Sequence, residues 1–140
     1  MKILLAVDGS AYTDKMLAYL ATHPALFGPG HDYTVLTVQP ALPPRVRAAV
    51  GQEVLDSYYA EETQRALVSA ATALAPHGIH PQSVWKVGPS GQTIAEFAAA
   101  GGFELLVMGS HGHGALASLV MGSVATQVLA HCQVPVLLIR

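Results

Sequence analysis

Short apolar runs alternate along the chain with segments whose apolar residues recur at helical spacing. Ile3 to Val7 is an unbroken apolar run closed by Asp8-Gly9-Ser10, which predicts a buried strand and a turn. From about 11 to 22, Met16, Leu17, Leu20 and Ala21 fall on one side of a helix. Ser10 is placed to cap that helix, and Asp14 sits in its first turn. His23-Pro24 and Gly28-Pro29-Gly30 end it. Tyr33 to Val38 predicts a second strand, followed by a connection containing Pro40, Pro43 and Pro44. One long helical pattern then runs from about 45 to 75 and stops at Pro76-His77-Gly78. Ser83 to Val87 predicts a third strand with Trp85 as a core side chain. A helix from about 91 to 100 sets Ile94, Phe97 and Ala98 on one side. Leu105 to Met108 is a fourth strand, Ser123 to His131 a helix, and Val134 to Ile139 a fifth strand.

Continuous apolar strands separated by helices predict an α/β fold, a parallel sheet covered on both faces. Crossovers are right-handed, so covering both faces requires the winding to reverse once. At the reversal the loops splay apart and leave a crevice beyond the carboxyl ends of the strands. If it falls between the first and fourth strands, Asp8 faces Gly109 across that crevice. With no internal repeat, low-complexity segment or linker, residues 1–140 are expected to form a single domain.

Composition narrows the function classes. The chain has 140 residues, 51% hydrophobic and 11% charged, enough to bury a core without staples. A net charge of −2 gives no electrostatic case for a nucleic acid or an anionic membrane surface. Cys132 stands alone, so no intrachain disulfide forms and nothing indicates an oxidising compartment. The first apolar run is too short for a signal peptide, and a cytoplasmic location is expected. Leu105 to Ile139 contains no Lys, Arg, Asp or Glu. Yet Ser110, His111, His113, Gln127, His131 and Pro135 break it too often for a span, which needs about 20 predominantly apolar residues. It reads as buried core plus an uncharged loop.

That loop, Gly109 to Ser123, leaves a strand's carboxyl end and closes at a helix N-terminus. Glycines let backbone N–H groups approach an anion, the helix start offers unsatisfied donors and a partial positive charge, and Ser123 adds a hydroxyl. Stabilising a phosphoryl-transfer transition state usually needs Lys, Arg or a metal, and the loop has neither cation. It therefore looks built to hold a nucleotide more than to turn it over. Gly112-His113-Gly114-Ala115-Leu116-Ala117 formally matches the dinucleotide fingerprint, but no acid follows Glu104 to bind a ribose. The P-loop pattern fails because Gly122-Ser123 lacks its lysine. Across the crevice, Asp8 can accept from an adenine amino group or ribose hydroxyls, help hold magnesium, or simply shape its own turn.

Other candidates carry less. His111 and His113 either line a ligand or are solvated loop residues. His77 and His80 flank Gly78 without carboxylate or cysteine partners for a metal. Cys132, Met108 and Met121 are read as packing, and Glu61 and Glu62 as a solvated helix face. Arg45 and Arg47 lie near the sheet's ligand end, within reach of a phosphate if their segment moves.

The residues Gly109, Gly112 and Gly122-Ser123 spell G-x-x-G, nine residues, G-[ST]. With Asp8 at the end of the first strand, Val38 in the second and the closing run Pro135 to Arg140, the whole chain resembles the nucleotide-binding type of the universal stress protein family. The resemblance implies a five-stranded parallel sheet in the order 3-2-1-4-5, Rossmann-like and adenine nucleotide alpha-hydrolase-like. It implies a nucleotide site made by Ala6, Val7, Asp8, Ser10, Val38, Met108, Gly109, His111, Gly112, Gly122, Ser123 and Val124. The expected ligand is ATP or AMP, with Mg2+ or Mn2+ held through the phosphates and Asp8 as the one candidate protein ligand. It implies a homodimer through the C-terminal strand, residues 135–140; an apolar edge strand also needs cover on general grounds. The functional expectation is a dimeric sensor or carrier in stress response, without catalytic residues and with at most slow ATP hydrolysis. Two alternatives remain: a slow ATPase or nucleotidyl-transfer enzyme, and a dimeric interaction scaffold indifferent to nucleotide. PP-loop enzymes share this sheet type, but their Ser-Gly-Gly run after the first strand is absent.

Overall fold

The chain builds β1 (Lys2–Ala6), α1 (Ala11–Thr22), β2 (Asp32–Gln39), α2 (Pro44–Ala49), α3 (Gln52–Leu74), β3 (Gln82–Val87), α4 (Ser90–Ala100), β4 (Leu105–Gly109), α5 (Ser123–His131) and β5 (Val136–Ile139). This is a computed structural model describing residues 1–114 and 120–140. The strands form one parallel sheet in the order β3-β2-β1-β4-β5. The order reverses once, as the alternation of elements predicts, and does so between β1 and β4, as the resemblance implies. No helix among the described residues is long and apolar enough to cross a membrane.

The two-residue period of the strands sorts the core into two layers. Ile3, Leu5 and Val7 point to one face with Tyr33, Val35 and Val107, where Met16, Leu17 and Leu20 of α1 and Leu67, Ala70 and Leu74 of α3 cover them. Leu4 and Ala6 point to the other with Leu36, Leu106 and Met108, beneath Ile94 and Ala98 of α4 and Ala125 and Val128 of α5. Helices α4 and α5 approach so closely that a Cβ on Gly91 would collide with Gln127.

Three local expectations are corrected. The single helix expected from about 45 to 75 is two, because Val50 and Gly51 are extended, with ψ of 154° and 160°. A β-branched residue followed by glycine is a weak point in a helix, glycine costing about 1 kcal/mol relative to alanine. The fifth strand begins at Val136 instead of Val134, after Pro135, which has no N–H to offer a ladder. Trp85 is not core: it is 37% exposed, because β3 is an edge strand that the helices cover incompletely.

Tyr33 sits 4% exposed at the start of β2 and donates its hydroxyl to the Gly28 carbonyl at 2.8 Å. Burial pushes its phenol above the usual 10.0. The unfolded chain therefore releases this proton first as pH rises, so the contribution is complete below about pH 10 and is lost above it. Denaturant unfolding followed across that range should show stability falling with pH, and Tyr33→Phe should flatten the slope.

Candidate functional site

Where β1 and β4 part, a cavity of about 590 Å³ opens at the carboxyl ends of the strands. The upper ends of β1 and β4 contribute Ala6, Val7, Met108 and Gly109 to its lining. Ala6 and Met108 are register partners and belong to the core layer under α4 and α5. Thr37, Val38, Gln39 and Pro40 contribute from the end of β2, Glu62 and Ala66 from α3, and Ser90 and Ile94 from the start of α4. Asp8, Thr13, the segment His111-Gly112-His113-Gly114 and Gly122 to Ala125 complete the lining.

The turn after β1 is set by Asp8. Its Oδ1 accepts from the Ser10 N–H and from Thr13 Oγ1, each at 2.9 Å, while the Asp8 N–H donates to Thr13 Oγ1 at 3.1 Å. Gly9 takes φ of 76° and lies against Ala66 of α3, a conformation that favours glycine. Asp8 Oδ2 faces the opposite loop: a Cβ on Gly112 would stand 2.7 Å from it. The carboxylate thus holds its own turn with one oxygen and borders the crevice with the other. Ser10 occupies the N-cap position of α1 but makes no side-chain cap bond. Its Oγ is buried with no partner among the described residues, and Ser10 is not part of the described lining of the cavity. Asp8 shapes its own turn, one of the roles the sequence left open for it, while the side-chain cap expected of Ser10 is not made.

The glycine segment is docked on the β1–α1 wall. His113 Nε2 lies 2.7 Å from the Asp8 carbonyl oxygen, and the His111 ring packs on Tyr12 with centroids 4.8 Å apart. Gly109 presses on Tyr12, where a Cβ would meet the Tyr12 Cβ at 2.7 Å. The Ser110 N–H bonds the Ile139 carbonyl at 2.8 Å, and the Gly122 N–H bonds the Ser110 carbonyl at 2.7 Å. This pins both ends of the loop at the mouth of β4. Gly122 is extended at φ −73°, ψ 167°, and is the N-cap of α5. Its lack of a Cβ lets the backbone lie against Ser110 and His111. The first-turn N–H groups of α5 have no intrahelical partner and border the cavity through Ser123, Val124 and Ala125. The centre of the nine-residue spacer, 115–119, lies outside the described residues, and with it Ala115 to Ala117 of the formal dinucleotide match.

The structure brings together Ala6, Val7, Asp8, Val38, Met108, Gly109, His111, Gly112, Gly122, Ser123 and Val124. It leaves Ser10 outside, and Arg45 and Arg47 are likewise not among the lining residues. Sequence reading missed Thr13, Thr37, Gln39, Ser90 and Glu62. Glu62 was expected on a solvated face; it is exposed, yet it borders the cavity one turn before Ala66. The described lining contains two carboxylates, two imidazoles and no Lys or Arg. Among the described residues no three His, Cys, Asp or Glu side chains gather as a metal site.

A doubly wound sheet with a helix N-terminus and a glycine segment at its point of reversal defines an α/β protein with a crevice at its topological switch point. The chain belongs to the universal stress protein family, which it matches over residues 1–140. It is 31% identical over 140 residues to universal stress protein Slr1230 of Synechocystis, covering 99% of this chain but only 42% of that one. It is 30% identical over 139 residues to the universal stress protein in the QAH/OAS sulfhydrylase 3′ region of Thermus aquaticus, covering 99% of this chain and 97% of that one. Three solved structures share the fold. UspA from Lactobacillus plantarum superposes at TM-score 0.78 with 20% identity, covering 100% and 97% of the two chains. The Archaeoglobus fulgidus universal stress protein in complex with dAMP gives 0.66 with 23% identity, covering 100% and 98%. An Arabidopsis thaliana family protein with AMP bound gives 0.69 with 16% identity, covering 99% and 90%.

The Gly109–Tyr12 packing has a measurable consequence. Gly109→Ala should destabilise the fold by about 1–3 kcal/mol, because the added methyl meets α1 itself. Gly30→Ala, where nothing stands within 4 Å of the new Cβ, should leave the midpoint of denaturant unfolding close to native.

Proposed function

We propose that this chain binds an adenine nucleotide, ATP or AMP, in the crevice between β1 and β4, and serves as a dimeric nucleotide sensor or carrier in stress response. The observation that carries this is the pairing of two unlike walls on one cavity. Val38 and Asp8 offer an apolar strand end and a carboxylate oxygen for a base and ribose. Gly109, Gly112, Gly122 and the N-terminus of α5 offer a cradle of backbone donors for phosphate. The AMP and dAMP complexes of family members of the same fold support the reading. Within the site, Ala6, Val7 and Met108 lie beneath the ligand, while His111, Ser123 and Val124 border its phosphates. Ser10 supports the Asp8 turn without contact. Asp8 Oδ2 and the Ser123 hydroxyl are hard oxygen donors, suited to Mg2+ or Mn2+ that keeps phosphate and water as its main ligands.

No residue is assigned a catalytic role. The described lining lacks the cation that a phosphoryl-transfer transition state calls for, and on this reading any ATP hydrolysis is slow. The edge strand β5, with Val136, Leu137 and Leu138 half-buried, is the surface on which a second copy pairs. The proposed location is the cytoplasm, and the proposed unit is one family domain over residues 1–140.

Titration calorimetry with ATP and with AMP, each with and without Mg2+, tests the site. Binding is expected with a dissociation constant on the order of micromolar, and Gly122→Leu should weaken it by about a hundredfold or more, since its side chain would enter the Ser110–His111 backbone. Absence of binding at millimolar nucleotide would overturn the reading. Phosphate release measured on the same protein separates a carrier from an enzyme. On the pairing of β5, the Leu106 N–H bonds the Pro135 carbonyl and the Ser110 N–H bonds the Ile139 carbonyl, so Val136 and Leu138 turn their N–H to the open edge, and Leu138→Pro should halve the sedimenting mass by removing one of those donors.

A further inference from the structure

Helix α2 is six residues long, and none of its residues is buried. Isolated helices shorter than about 12 residues are marginal in water, so this one has little within its own chain to hold it. It nevertheless carries an apolar stripe. Val46 is 41% exposed, and Val50 at its end is 36% exposed. Arg45 and Arg47, both exposed, project about 100° to either side of Val46.

The outer face of α3 presents the matching pattern. A shallow concavity there is lined by Glu53, Val54, Ser57, Tyr58 and Glu61. Val54 is 61% exposed, among the most exposed large apolar side chains described, and Tyr58 is 36% exposed. Glu53 and Glu61 bracket them about 12 Å apart along the helix axis, so a helix crossing α3 with Val46 inward directs Arg45 and Arg47 towards opposite ends of the concavity.

We propose that α2 of one copy docks in the α3 concavity of a second copy, and reciprocally, so that Val46 and Val50 cover Val54 and Tyr58 while Arg45 and Arg47 meet Glu53 and Glu61. A second copy is the occupant because one patch of one chain carries both halves of a complementary pair, which a two-fold axis brings together twice. The extended Val50-Gly51 link ends α2 before α3 begins, so the two halves of the pair stand on separate helices. The apolar stripe supplies the affinity, and the charges fix register and approach. This face is separate from β5: α3 packs on β2 and β3, at the opposite side of the sheet.

Sedimentation velocity on the full chain tests it by charge exchange. Arg45→Glu with Arg47→Glu, and separately Glu53→Arg with Glu61→Arg, should each weaken one association step by about tenfold or more while leaving the β5 pairing intact. An equimolar mixture of the two variants should regain that step, since both halves of the contact are then complementary again. High salt should weaken it in the native chain. All four residues are exposed, and circular dichroism checks that the variants are folded. A folded variant that sediments like the native chain overturns the proposal. So does a mixture that stays apart, the outcome expected if α2 closes on its own α3 or serves a different partner.

Discussion

The sheet reverses its order between β1 and β4, and everything about the crevice descends from how the chain leaves those two strands. After β1 it enters α1, which packs on the face carrying Ile3, Leu5 and Val7. After β4 it enters α5, which packs on the face carrying Leu4, Ala6 and Met108. Two connections that start side by side must therefore diverge to opposite faces. Right-handed crossovers allow no other solution once both faces are to be covered. The space between them is bounded by a turn on one side and a helix N-terminus on the other. Asp8 and Gly122 stand across from each other for reasons of topology before any question of ligand arises.

The electrostatics of that space bear on the proposed phosphate site. The described lining holds Asp8 and Glu62 and no Lys or Arg. A helix N-terminus contributes about 0.3–1 kcal/mol towards an anion, and up to roughly 2 when partly buried. Hydrogen bonds to a charged group add about 1.5–3 kcal/mol each. Donors of this kind can hold a monoanion or dianion. A polyphosphate would meet two carboxylates without a protein cation to offset them, so an accompanying divalent ion matters more here than in a lysine-bearing loop. The same absence separates holding from turnover.

Much of this was legible in the sequence, because strand period, helix period and glycine punctuation all agree along most of the chain. The five strands, the need for one reversal and the spaced glycines of the loop follow from local signals of that kind, while the place of the reversal came only with the family resemblance. Trp85 did not, since β-propensity says nothing about whether a strand lies at an edge. The break at Val50-Gly51 was hidden by helical spacing that continues on both sides of it. Ser10 reads as the cap of α1, and only geometry shows that its hydroxyl makes no cap bond there. Glu62 reads as a solvated acid on a helix; its place beside the crevice depends on how α3 lies over Gly9, which one-dimensional spacing does not encode.

Ala6 and Met108 have a double membership: they end a core layer and also border the cavity. The hydrophobic core is thus open at one end, and an apolar ring entering there would stack on it as one more layer. Occupancy and folding then share a free energy. A ligand at a hundred times its dissociation constant raises the unfolding free energy by about 2.7 kcal/mol, a sizeable part of the 5–15 kcal/mol typical of a domain. The lifetime of such a chain against proteolysis would follow the concentration of what fills the crevice, so that abundance itself becomes a record of cellular ligand supply.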